Sequence, residues 1–254
     1  MQNSIWILAL QLAVVLGLLF WADRWLHRHL QSVMFLLTND NDLGLWLYST
    51  VLLPGVILHE LSHATAARLL GVKIGKIHLF PQRSKGHIQL GFVPVEETDF
   101  VRASLIGGAP FLVGSLAIVA LGHWVFDTNS VLNAFAGYAW MQGLRELVDA
   151  FQTADAWLWA YLVFAIANTM LPSRSDMHAW PFLAFALAAL GGLLILIGGG
   201  SLIVDGLGAV LTRAAQWFLL LGASAFLIDL PFFALIYLIQ KALERIKGVR
   251  LEYK

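Results

Sequence analysis

The stretch Gly44–Leu70, GLWLYSTVLLPGVILHELSHATAARLL, decides how the chain is read. It is apolar except for HELSHA in its later half. A bilayer-crossing helix needs about 20 mostly apolar residues, and this stretch is long enough. His59, Glu60 and His63 therefore sit inside a segment that reads as a membrane span. Ionisable groups are costly in hydrocarbon, and their presence there marks function. Counting back from Leu70 at about 1.5 Å per residue places them about 10–16 Å below the end of the span.

Working outward, the composition agrees. The chain has 254 residues, 59% hydrophobic and 13% charged, against about 45–50% and about 25% in soluble domains. The 16 basic and 16 acidic residues cancel. They leave no net positive field to attract phosphates, which argues against a nucleic-acid binder. Cysteine is absent, so disulfides, thiolate metal sites and a cysteine nucleophile are excluded. Any metal must be held by nitrogen and oxygen.

The fold class predicted is an all-α polytopic membrane protein, residues 1–254 forming a single membrane domain with about six transmembrane helices. The spans run from about Ser4 to Ala22, Gly44 to Leu70, Ala103 to Phe126, Ala156 to Leu171, Trp180 to Val204 and Ala214 to Gln240. No basic residues precede the first and no small-x-small cleavage site follows it, which predicts a retained span rather than a cleaved signal peptide. Residues 72–95 predict a small β-hairpin between spans two and three, two β-rich runs around a polar turn. Residues 128–153, carrying Arg145, Glu146 and Asp149, predict an interfacial helix. The run Gly198-Gly199-Gly200 reads as a close-packing point inside span five.

Basic residues sort by side. Lys73, Lys76, Arg83, Lys85 and Arg102 lie between spans two and three, and Lys241, Arg245, Lys247, Arg250 and Lys254 lie in the tail. Arg174 falls on the same face. Arg24, Arg28, Arg145 and Arg213 fall on the other. The positive-inside rule puts both termini and the hairpin in the cytosol.

His59-Glu60-Leu61-Ser62-His63 is a His-Glu-x-x-His motif. Its i, i+4 spacing puts both imidazoles on one helix face, one turn apart, as two ligands of one zinc ion require. Glu60 is placed as general base toward the attacking water. A tetrahedral catalytic zinc wants a third protein ligand. Span four runs parallel to span two, and its end reads Asn168-Thr-Met-Leu-Pro172-Ser-Arg-Ser-Asp176-Met-His178. Asp176 is an acid at the correct end, and His178 is the competing choice. Pro172 should break the helix nearby. His78 and His87 read as polar hairpin residues, and Asp229 in span six as a buried carboxylate met by a neighbouring helix.

HELSHA in a membrane span, followed by a span ending Asn-x-x-x-Pro-x-x-x-Asp, resembles the site-2 protease family of intramembrane zinc metalloproteases. The resemblance covers spans two to four, a catalytic core at 44–176. It implies His59, His63 and Asp176 as metal ligands, Glu60 as catalytic acid/base and Asn168 as a group holding the substrate backbone. It further implies about one zinc ion per chain and transmembrane proteins as substrates. Gly107-Gly108-Ala109-Pro110 stands where the family has a Gly-Pro element, a helix-packing or substrate-path feature. Two positions depart from the pattern: Pro172 is one residue late, and Met177 replaces the glycine after the aspartate. The expected function is hydrolysis of peptide bonds in or near membrane spans, in a prokaryotic inner membrane. The rival readings are a non-catalytic client-binding relative and a transporter or channel with a histidine-lined path.

Overall fold

A computed structural model describes residues 2–251 apart from 85–86, 128–129, 132, 135–136, 138, 153–154, 174, 197 and 199–207. Arg174, Lys85, Lys254 and the Gly199-Gly200 pair named above lie outside the described residues. The chain is mostly helical. Its helices are α1 (Gln2–Thr38), α2 (Asn41–Leu69), α3 (Phe100–Trp124), α4 (Trp140–Ala150), α5 (Ala156–Ala167), α6 (Trp180–Leu196) and α7 (Gly208–Lys247).

Among the described residues three helical stretches are long and apolar enough to cross a membrane: Asn41–Leu69, Phe100–Trp124 and Thr212–Lys247. These coincide, to within two residues at the far ends of the first two, with the expected spans two, three and six. The fourth expected span is corrected. Its helix, α5, has 12 residues, about 18 Å of rise against a hydrocarbon core of about 30 Å. It ends at Asn168 because the Pro172 ring would collide with the carbonyl four residues back. The first expected span lies inside a much longer helix, since α1 continues to Thr38. The expected amphipathic stretch 128–153 forms its helix over Trp140–Ala150. There Trp140, Leu144 and Val148 recur every fourth residue as exposed apolar side chains.

The α2 ends follow local rules. The Asp40 carboxylate accepts from Asp42 N at 2.7 Å and Leu43 N at 2.9 Å, an N-cap. Those backbone bonds hold its pKa below the usual carboxylate value. At the far end Gly71 adopts φ +72, Gly71 N donates to Arg68 O and Val72 N to Ala67 O. That pair of bonds is the Schellman stop, in which a left-handed residue suits glycine. Val72 and Ala67 then pack with Ile106 of α3.

Between α2 and α3 the chain doubles back. Strands β1 (Gln82–Ser84) and β2 (His87–Gln89) pair antiparallel over three residues each. Upstream, Ile74 bridges Val95 and His78 bridges Phe92. Each step gives the outgoing arm one residue more than the return arm, so the pairing is bulged rather than continuous. Pro81 and Pro94 also have no N–H for a ladder.

The core lies where α2, α3, α5 and α7 meet. Ile118, Ala160, Val163, Ile166 and Ile228 form one buried cluster, and Leu26, Leu52, Val56 and Phe164 belong to another. Phe164 stacks on Phe232 with ring centroids 4.5 Å apart. α1 runs along α7. Large apolar side chains such as Leu112, Leu116, Phe182, Phe185 and Leu190 point outward, which suits a lipid environment better than water.

Gly55 sets how closely α2 crosses α5. A Cβ there would stand 2.1 Å from the Ala165 carbonyl oxygen, and backbone cannot step aside as a flexible side chain can. Gly55→Ala therefore forces the helices apart. Overpacking of this kind costs about 1–3 kcal/mol, so the melting temperature in detergent falls, read by thermal unfolding.

Candidate metal centre

The i, i+4 spacing brings His59 and His63 together on the inner face of α2, with Nε2 atoms 3.1 Å apart. α5 stops early, and the chain beyond it turns back to deliver Asp176. Its Oδ2 lies 3.6 Å from His59 Nε2 and its Oδ1 lies 3.3 Å from His63 Nε2. Among the described residues these three form a group able to hold a metal ion, all ligand atoms lying within 4.8 Å of one another. The separations test the fit. Ligand atoms about 2.0–2.1 Å from a tetrahedral zinc are about 3.3 Å apart. The imidazoles stand 3.1 Å apart and each lies 3.3 or 3.6 Å from a different oxygen of the one carboxylate, so the residues are close enough to share one small cation.

The supporting bonds fix the ligands further. His63 Nδ1 lies 2.9 Å from the Ile106 carbonyl oxygen on α3. A carbonyl only accepts, so Nδ1 carries the proton and the neutral ring presents its Nε2 lone pair to the centre. Asp176 is held by its own turn, with Ser173 N donating to Oδ2 at 2.7 Å. Burial pushes the Asp176 carboxyl up, but the Ser173 N–H and the imidazoles of His59 and His63 beside it outweigh that. The net effect holds the group well below the usual carboxylate range. Among the described residues His59 Nδ1 is buried without a hydrogen-bond partner.

Two glycines let the walls close. A Cβ on Gly107 would stand 2.0 Å from the Asp176 carbonyl oxygen, so only glycine lets the Asp176 turn lie against α3. A Cβ on Gly91 would stand 2.7 Å from Glu60 Oε1, which places the return arm of the doubled-back segment over Glu60. Glu60 itself is buried and within electrostatic reach of His59, His63 and Asp176.

Between the two candidates for the third ligand, the structure brings Asp176 to the histidines. His178 is exposed, and its Nδ1 lies 2.7 Å from the Ser175 carbonyl oxygen. His178→Ala should keep full metal content while Asp176→Ala loses it, checked by metal analysis of the purified variants. Asn168 is buried and its amide nitrogen donates to Phe164 O at 2.8 Å and to Asp229 Oδ2 at 3.2 Å. It thus ties α5 to the buried carboxylate of α7. The sequence reading of Asp229 as a buried carboxylate met by a neighbouring helix agrees with this, but it did not name Asn168, 61 residues away, as the partner. It also missed Gly91, Ser173 and the Ile106 carbonyl. A backbone acceptor leaves no side-chain signature.

Compared with known protein families, with curated proteins and with solved structures, the chain matches none.

Proposed function

We propose that the chain is an intramembrane zinc metalloprotease of the site-2 type, hydrolysing peptide bonds in or near transmembrane segments of other proteins. One observation carries the reading: His59 and His63, with a buried Glu60 between them, lie on a helix long and apolar enough to cross a membrane, and Asp176 reaches them within 4.8 Å from the turn after α5. Zinc suits a two-histidine, one-carboxylate set beside a glutamate in a His-Glu-x-x-His motif. When bound, zinc supplies Lewis acidity that polarises a carbonyl and brings the pKa of water near 7.

The residues of the chain then have defined tasks. His59, His63 and Asp176 hold the ion. A carboxylate oxygen of Glu60 takes a proton from the attacking water and later returns it to the leaving amine nitrogen. No covalent intermediate is needed, and Ser62 is occupied in its helix, its hydroxyl donating to Leu58 O at 2.6 Å. Asn168 is the residue the resemblance assigns to the substrate backbone, and its tie to Asp229 keeps it in place. A helical substrate hides its peptide bonds, so it is unwound locally before attack. The hairpin reading of residues 72–95 supplies strand edges that capture an unwound segment by strand addition.

In this reading residues 44–176 form the catalytic core. The other expected spans complete the domain around α5, which is buried and too short to cross by itself. The 128–153 segment lies at the membrane surface on its Trp140–Leu144–Val148 stripe. Both termini face the cytosol of a prokaryotic cell. The test is a membrane-anchored reporter incubated with the purified protein. Cleavage should stop with a zinc chelator and return with added zinc. Cleavage indifferent to the chelator contradicts the proposal.

A further inference from the structure

Pro110 sits inside α3, buried, in the middle of a helix that continues for more than three turns beyond it. Proline in a helix interior has no N–H, and its ring pushes aside the carbonyl four residues back. That carbonyl belongs to Ile106, the one 2.9 Å from His63 Nδ1. In an unbroken helix the Ile106 oxygen would accept from the N–H of residue 110. With proline there, the oxygen is released at the depth of the metal centre. Freed backbone groups inside a membrane protein need another partner, and the imidazole of His63 is that partner.

We infer that Pro110 is a positioning residue for the metal centre: it frees the Ile106 carbonyl to hold His63 Nδ1–H, which fixes the tautomer and aims Nε2 at the ion. The inference rests on the metal-site reading and adds the backbone device that orients one ligand. The next residue of α3 completes it, since Gly107 is where the Asp176 turn touches the helix. One short segment of α3 thus aligns both arms of the centre, His63 through a carbonyl and Asp176 through a missing side chain. The resemblance implied only a packing or substrate-path role for Gly107–Pro110; the geometry gives it a task at the metal.

The experiment compares the full-length protein with Pro110→Ala and Gly108→Ala in detergent. Alanine at 110 restores a backbone donor that competes for the Ile106 oxygen. Alanine at 108 alters the same helix but meets only Trp180 Cζ2, at 3.6 Å, an ordinary contact. Zinc affinity is read by competition with a chromophoric chelator. Loss of an outer partner of a ligating histidine weakens metal binding about 10–100-fold. Pro110→Ala should show that loss and Gly108→Ala should not. The second readout is 15N NMR of His63 in the metal-free wild type, where the Nδ1–H tautomer should dominate and should give way to a mixture in Pro110→Ala. Equal zinc affinity in Pro110→Ala and wild type overturns the inference, and so does an Nε2–H tautomer in the wild type. The tautomer measurement needs no metal. It decides the inference even if the wild type takes up no zinc, an outcome that overturns only the metal-site reading.

Discussion

Replacing Glu60 by Gln is expected to lower turnover of a membrane-anchored reporter by about 10²–10⁴-fold, the range for loss of a general acid/base, with the metal content unchanged. Glutamine keeps the shape of the side chain and its hydrogen-bonding oxygen, but it cannot take a proton from water. Glu60 is buried beneath Gly91, so bulk solvent cannot easily substitute for it. The arrangement distinguishes the protease from a client-binding relative. A relative that does not cut has no turnover to lose, and cleavage unaffected by Glu60→Gln would belong to some other catalyst in the preparation.

The second large effect is expected at Gly107. A methyl group there would overlap the Asp176 carbonyl oxygen, 2.0 Å away. Both sides of that contact are backbone, so the Asp176 turn must retreat from α3. Asp176 Oδ1 and Oδ2 reach the two histidines at 3.3 and 3.6 Å, and a retreat of even about 1 Å takes the carboxylate out of ligand range. Gly107→Ala should therefore lose most of its bound metal and its activity together, as Asp176→Ala should. The fold should survive, because the helix gains a better helix former. Circular dichroism and metal analysis on one sample check both statements. Full metal content in Gly107→Ala would show that the turn can be held in place by other contacts.

Much of this site was legible before the fold was seen, and for physical reasons. The helical period alone puts His59 and His63 on one face, and an acid at the end of a parallel-running segment can be counted to from the alternation of spans. The lengths of the elements were not legible in the same way. Hydropathy runs on from Ala156 to Leu171, yet α5 ends after Ala167 because the steric effect of Pro172 acts four residues upstream. α1 outruns its apolar stretch because charge stops a hydropathy reading at Asp23 but does not stop a helix. The Asn168–Asp229 bond and the His63–Ile106 bond depend on how distant helices meet, and no local pattern encodes that. Pro110 was visible as a proline, but the identity of the group that would use its freed carbonyl was not.

Metal analysis of the protein as purified tests the central claim most directly. Three such side chains within 4.8 Å of one another should hold about one zinc per chain, and His59→Ala, His63→Ala and Asp176→Ala should each abolish it. A folded wild-type protein that takes up no zinc when the metal is supplied, or one whose zinc survives the loss of Asp176, would contradict the account.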